Sequence, residues 1–122
     1  LEKMKMKRFE NSTYLKNNLS GLKNISFLNY KEDTEWNFQY FIIKIEKDYK
    51  EFNKKIFKKG IHAMEENVWN CLEYNYSISN STDDFTVTRK NNQKILRIQN
   101  SSYLEKKHLD KIINSIKKSV ND

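Results

Sequence analysis

Proline is absent from this chain, glycine occurs only as Gly21 and Gly60, and cysteine only as Cys71. The near-absence of both chain breakers excludes collagen-like and Gly/Pro-rich linker sequences, and makes each glycine a marker of a chain reversal. A single cysteine cannot close an internal disulfide, so a reducing cytoplasm is the simplest setting. Cys71 reads as a small buried hydrophobe, because neither His62 nor His108 brings a motif that would make it a nucleophile. No apolar run approaches the ~20 residues that cross a bilayer. Arginine is scarce too: 20 of the 23 basic residues are lysine.

What is present is lysine, asparagine and aromatic rings. A net charge of +7 invites a nucleic-acid reading. The shortage of arginine argues against it. Bidentate recognition of phosphates and bases favours the guanidinium fork, whereas lysine is a hydrated point charge that often only solvates a surface. The lysines are also spread along the chain, with short runs only at 54–55, 58–59, 106–107 and 117–118. Sequons such as those at Asn18 and Asn100 follow from the same compositional bias and carry no meaning without secretion.

The 122 residues fit one domain, 1–122. A helical pattern is already running at residue 1. Leu1, Met4, Arg8, Asn11, Leu15, Leu19 and Leu22 share one stripe, and no capping residue precedes them. The expectation is that the chain is a piece of something longer. Gly21 should end this helix. Ile25 to Leu28 read as a short strand, and Trp36 to Ile45 as a long one. In it Trp36, Phe38, Tyr40 and Ile42 point one way, Phe41, Ile43 and Ile45 the other. Apolar residues on both faces call for cover on both sides, from this chain or from a partner domain. Asp48 with Glu51 has capping-box spacing, Tyr49, Phe52 and Ile56 form an apolar stripe, and Gly60 supplies a stop, so Asp48 to Gly60 is a helix. Ile61 to Met64 then returns as a strand, completing a β-α-β unit. Met64, Val68, Cys71 and Leu72 have the spacing of a short helix. Phe85 to Thr88 and Ile95 to Ile98 alternate as a hairpin around Lys90 to Gln93. Ser102 with Glu105 makes a second capping box ahead of a helix with Leu109, Ile112, Ile113, Ile116 and Val120 inward. The sum is an α/β (α+β) sandwich: a small, mostly antiparallel sheet of three or four strands packed against two to three helices.

Motifs for chemistry are missing. Two isolated glycines make no phosphate loop. His62 with Glu65 and Glu66 has helical spacing for a metal, but lacks a third ligand, and reads as surface. His108 lies among lysines and should face solvent, and Asp83-Asp84 reads as a solvated loop pair. Tyr14, Phe38, Tyr40, Phe52 and Trp69 fall at core spacing and not as a stacking platform.

In order, however, these segments resemble a known family. L-x-x-M-x-x-x-R at Leu1 to Arg8, followed by Asn11, Tyr14 and Leu15, resembles the helix that enters the small domain of sugar aminotransferases of the DegT/DnrJ/StrS type. YFIIKI, then a helix ending Lys59-Gly60-Ile61, resembles that family's strand and L-x-x-x-G-I helix end. Ile95-Leu96-Arg97-Ile98, Leu104 and His108-Leu109-Asp110-x-Ile112-Ile113-x-x-Ile116 resemble its closing strand and helix. Gln99 stands where the family usually has proline, and HAMEENVWN where it often has a His-aromatic pair, so substrate contacts there do not transfer. The resemblance implies the small C-terminal domain of a pyridoxal-phosphate enzyme of the aspartate-aminotransferase fold. The cofactor lysine would then lie in a missing N-terminal large domain, the parent would be a homodimer, and the substrates a nucleotide-linked keto-sugar and glutamate. This chain would supply no catalytic, cofactor-binding or metal residue and would be silent alone. Its one candidate substrate-binding residue is Arg97, since an arginine of the small domain grips a substrate carboxylate in many enzymes of this fold. The plainer reading of Arg97 is the exposed face of a half-buried strand. The alternative for the whole chain is a free-standing basic module that binds RNA or an acidic protein.

Overall fold

The computed structural model describes residues 1–28, 37–46, 48–65 and 94–121. Within them the chain runs α1 (Glu2–Leu19), β1 (Ile25–Phe27), β2 (Tyr40–Ile45), α2 (Tyr49–Lys58), β3 (Ala63–Glu65), β4 (Ile95–Gln99) and α3 (Lys106–Asn121). The strands form one sheet in the order β1-β2-β4-β3, every neighbouring pair antiparallel. β2 and β3 therefore run parallel with β4 between them. The β-α-β unit expected from Tyr40 to Met64 is present, split by the strand that arrives last in sequence.

One face of the sheet carries the core. Phe41, Ile43 and Ile45 of β2, Leu96 and Ile98 of β4 and Ala63 of β3 are buried against Leu15 and Leu19 of α1, Tyr49, Phe52 and Ile56 of α2, and Leu109, Ile112, Ile113 and Ile116 of α3. The two helices with a clean three-four apolar spacing, α2 and α3, bury it as expected. α1 is only weakly amphipathic. Its buried residues are Asn11, Ser12, Leu15 and Leu19, while Leu1 and Met4 at the head of the expected stripe are exposed. No helix among the described residues is long and apolar enough to cross a membrane.

The helix ends follow local chemistry. Asp48 Oδ1 accepts from the backbone N–H of Lys50 and of Glu51, at 3.0 and 3.2 Å, and so caps α2. At its other end the Ile61 N–H donates to the Ile56 carbonyl across Gly60, which sits at φ +80°, a conformation only glycine adopts without penalty. Gly21, at φ +81°, turns the chain after α1 in the same way.

Three expectations are corrected. The long strand starts at Tyr40, not Trp36: Phe38 has φ +51° and is buried, its ring edge-on to Phe9 of α1 at 5.1 Å, so it leaves the strand to fill a gap beside the helix. Ser102 does not cap α3. The helix begins at Lys106, and His108 Nδ1 accepts from the Glu105 N–H at 3.1 Å, giving an exposed histidine the part played by glutamate in a capping box. Met64 lies in β3 and not in a helix. This also removes the helical spacing on which the His62–Glu65 metal reading depended. No group of metal-ligating side chains occurs among the described residues. Cys71, Trp69, the Asp83-Asp84 pair and the strand expected at Phe85 to Thr88 lie outside the described residues.

Candidate functional site

Because side chains alternate along a strand, burying Phe41, Ile43, Leu96 and Ile98 on one face forces Tyr40, Ile42, Lys44, Ile95, Arg97 and Met64 onto the other. These six are half-buried. Arg97 sits in the middle of this face, directly opposite Ile42 on one side and Met64 on the other. Its guanidinium carbon lies 5.3 Å from the centroid of the Tyr40 ring, close enough for the ring's negative face to attract the cation. At the far end of β2, Glu46 accepts from Lys94 at 2.6 Å and pairs with Lys44 at 3.1 Å. The hydrogen bond from Lys94, then that from Lys44, holds the Glu46 carboxyl below its ordinary range. Among the described residues the face thus sets a guanidinium beside an aromatic ring and two apolar side chains. That arrangement suits a planar anion such as a carboxylate.

A buried polar cluster fixes where this face starts. The Asn100 side chain is 1% exposed. Its Nδ2 lies 2.8, 2.9 and 2.9 Å from the Arg8 carbonyl, Ser12 Oγ and the Phe38 carbonyl. Two protons face three oxygens, so one proton is shared. Asn11 Nδ2 donates to Asn100 Oδ1 at 3.3 Å and to the Ser101 carbonyl at 3.1 Å, and the Asn100 N–H donates to the Gln39 carbonyl. One carboxamide therefore ties α1 to both strand ends that carry Tyr40 and Arg97, and it holds Phe38 in its left-handed conformation. A second tie joins α1 to α3, where Tyr14 donates its hydroxyl to Asp110 Oδ1 at 2.7 Å. That bond, with some burial, raises the Tyr14 pKa.

Arg97, the candidate read from the sequence, lies on the open face as its position in β4 requires. Asn100 was missed because it looked like part of a sequon. The available signal was Asn11, a carboxamide on the same helical stripe as Leu15 and Leu19, where a buried partner is needed.

No protein-family model matches this chain, and no curated protein matches it in sequence. Solved structures do match its fold. The sugar aminotransferase CalS13 from Micromonospora echinospora superimposes with a TM-score of 0.84 at 16% identity, over 96% of this chain and 31% of that one. A DegT DnrJ EryC1 StrS aminotransferase from Brucella abortus gives 0.82 at 14% identity, over 98% and 32%. The PMP form of Spr1654 from Streptococcus pneumoniae, described as a sugar aminotransferase, gives 0.76 at 18% identity, over 97% and 31%. The chain thus has the fold of about a third of each of these proteins and spans about a third of their length.

A pyridoxal-type cofactor, which such enzymes imply, needs a desolvated lysine to carry it. None of the described lysines is buried, and Lys44 on the open face and Lys94 in the turn before β4 both point at the Glu46 carboxylate. The described residues do not fit a cofactor-bearing site of their own.

Proposed function

We propose that the chain is the C-terminal small domain of a pyridoxal-phosphate-dependent aminotransferase acting on a nucleotide-linked keto-sugar, with glutamate as amino donor. The observation that carries this reading is the superposition of nearly the whole chain on about a third of several sugar aminotransferases. The two-sided sheet supports it. A face with Ile42, Ile95, Met64 and Tyr40 half-buried is a natural floor for a larger domain, with the helices kept outside. The cofactor, held by that larger domain, supplies an electron sink. Arg97 binds and orients the carboxylate of the amino donor at the edge of the cleft, and Tyr40 keeps its guanidinium in place. The parent acts as a homodimer.

The test is the reading frame that precedes Leu1, followed by expression of the complete protein. The expected result is a large domain with a lysine at a strand end, retention of pyridoxal phosphate through gel filtration, and transfer of the glutamate amino group to a nucleotide-linked keto-sugar. In that protein Arg97→Ala should raise KM for glutamate about tenfold or more, the order of a lost charge-assisted hydrogen bond. A full-length protein that does not retain the cofactor, or a gene that begins at this segment, would overturn the proposal.

A further inference from the structure

We infer that the groove between the C-terminal end of α2 and α3 is a docking site for an acidic polypeptide segment in extended conformation. This groove, about 590 Å³, is lined among the described residues by Lys59, Lys107, Lys111 and Lys118, and lies on the helical side of the sheet, away from its other face. Lys107, Lys111, Asn114 and Lys118 fall at spacings of four, three and four along α3, on one stripe. Like charges placed four apart on a helix work against each other. Lys107 has a carboxylate partner, Glu105 at 2.8 Å, but both are exposed, so that pair exchanges readily for another. Lys59 donates to the Ser119 hydroxyl at 3.1 Å. Among the described residues neither Lys111 nor Lys118 has a carboxylate partner. Lys111 lies across the turn at Gly60, its Nζ 3.1 Å from where a Cβ would stand, so the absent side chain lets the ammonium settle into the groove.

The spacing fits a polypeptide. Lys107 and Lys111 are about 6 Å apart along the helix axis, and Lys111 and Lys118 about 10 Å. Carboxylates on alternate residues of an extended chain recur every ~7 Å, so two acids in such a segment match the first pair. The polar groups between the lysines decide the class of partner. Asp110 presents a carboxylate whose Oδ1 already accepts from Tyr14, leaving Oδ2 free to accept, and Asn114 and Ser115 can both donate and accept. A peptide backbone has N–H groups to satisfy Asp110. A ribose-phosphate backbone offers only the 2′-hydroxyl as a donor and repeats at every residue a charge that Asp110 repels. Among the described residues that line the groove there is no arginine and no aromatic ring on which a base could stack.

The experiment is an amide-resonance titration of the isotope-labelled chain with a short poly-glutamate peptide and, separately, with poly-uridine RNA of matched charge. The peptide is expected to move the amides of Lys59, Gly60 and the Lys107 to Lys118 stretch. The triple variant Lys107→Gln, Lys111→Gln, Lys118→Gln should lose about tenfold in affinity, a few-fold per exposed charge. The triple Lys3→Gln, Lys5→Gln, Lys7→Gln on α1 removes the same net charge from lysines that do not line the groove, and should lose less than about twofold, since salt screens charges that a bound peptide does not touch. Equal losses in the two triples would overturn the inference, because net charge alone would then account for binding. RNA occupying the groove as tightly as the peptide, or a peptide that moves no groove amide, would overturn it as well.

Discussion

Leu96 and Arg97 are chain neighbours in β4, yet they lie in different solvents. Leu96 is fully buried among residues from all three helices, and Arg97 faces away from them beside Ile42, Met64 and the Tyr40 ring. The core face is closed by this chain's own helices. The open face is apolar enough to want cover, but it keeps a guanidinium at its centre. A sheet built to fold alone has a polar outer face.

The contrast can be broken most directly at this pair. Leu96→Ala leaves a cavity in the core and should cost about 2–5 kcal/mol, whereas Arg97→Ala in the same chain should cost less, since Arg97 is only half-buried and lies outside the apolar core. Urea denaturation of both variants measures this. Comparable losses would mean that the open face contributes as much to folding as the core does.

Next comes the cluster that joins the faces. Asn100→Ala removes a partner from the Asn11 carboxamide, the Ser12 hydroxyl and the Phe38 carbonyl, and should cost about 1–3 kcal/mol. Asn100→Asp keeps the shape but cannot donate, and it turns a charge toward three oxygens, so it should be at least as damaging. Tolerance of aspartate would show that the site is filled for volume alone.

The smallest effect belongs to Glu46 at the rim of the open face. Its carboxyl is held below the ordinary range by Lys94 and Lys44, so its stabilising contribution is present above that range and is lost as the pH falls through the lowered pKa. Wild type should therefore be more stable than Glu46→Gln near neutrality, with the difference closing once the pH is taken well below about 4. A gap independent of pH would show that Glu46 acts through packing and not charge.

Much of this architecture was legible along the chain, wherever the signal was local. The Asp48 cap, the glycine stops at 21 and 60, and the apolar stripes of α2 and α3 each depend on residues within a few positions of one another. Alternation in YFIIKI and ILRI was enough to put Arg97 on the face opposite Leu96. The start of β2 was not legible, because Phe38 obeys the alternation and still leaves the strand to pack on Phe9. Nor was the cap of α3, where the serine with the expected spacing is passed over and His108 serves instead.

Periodicity and capping chemistry by themselves determined the helices, the two strands at the sheet's centre and which side chains share a face, since these follow from backbone geometry that repeats every two or 3.6 residues. Only the tertiary structure decided that β4 enters between β2 and β3. It alone decided that Asn100 and Asn11 bury their amides together, 89 residues apart in sequence, and that Lys59 at the end of one helix joins the lysines of another around one groove. Those contacts join residues far apart in the chain, and no local spacing records which distant partner a buried amide or an exposed charge will meet.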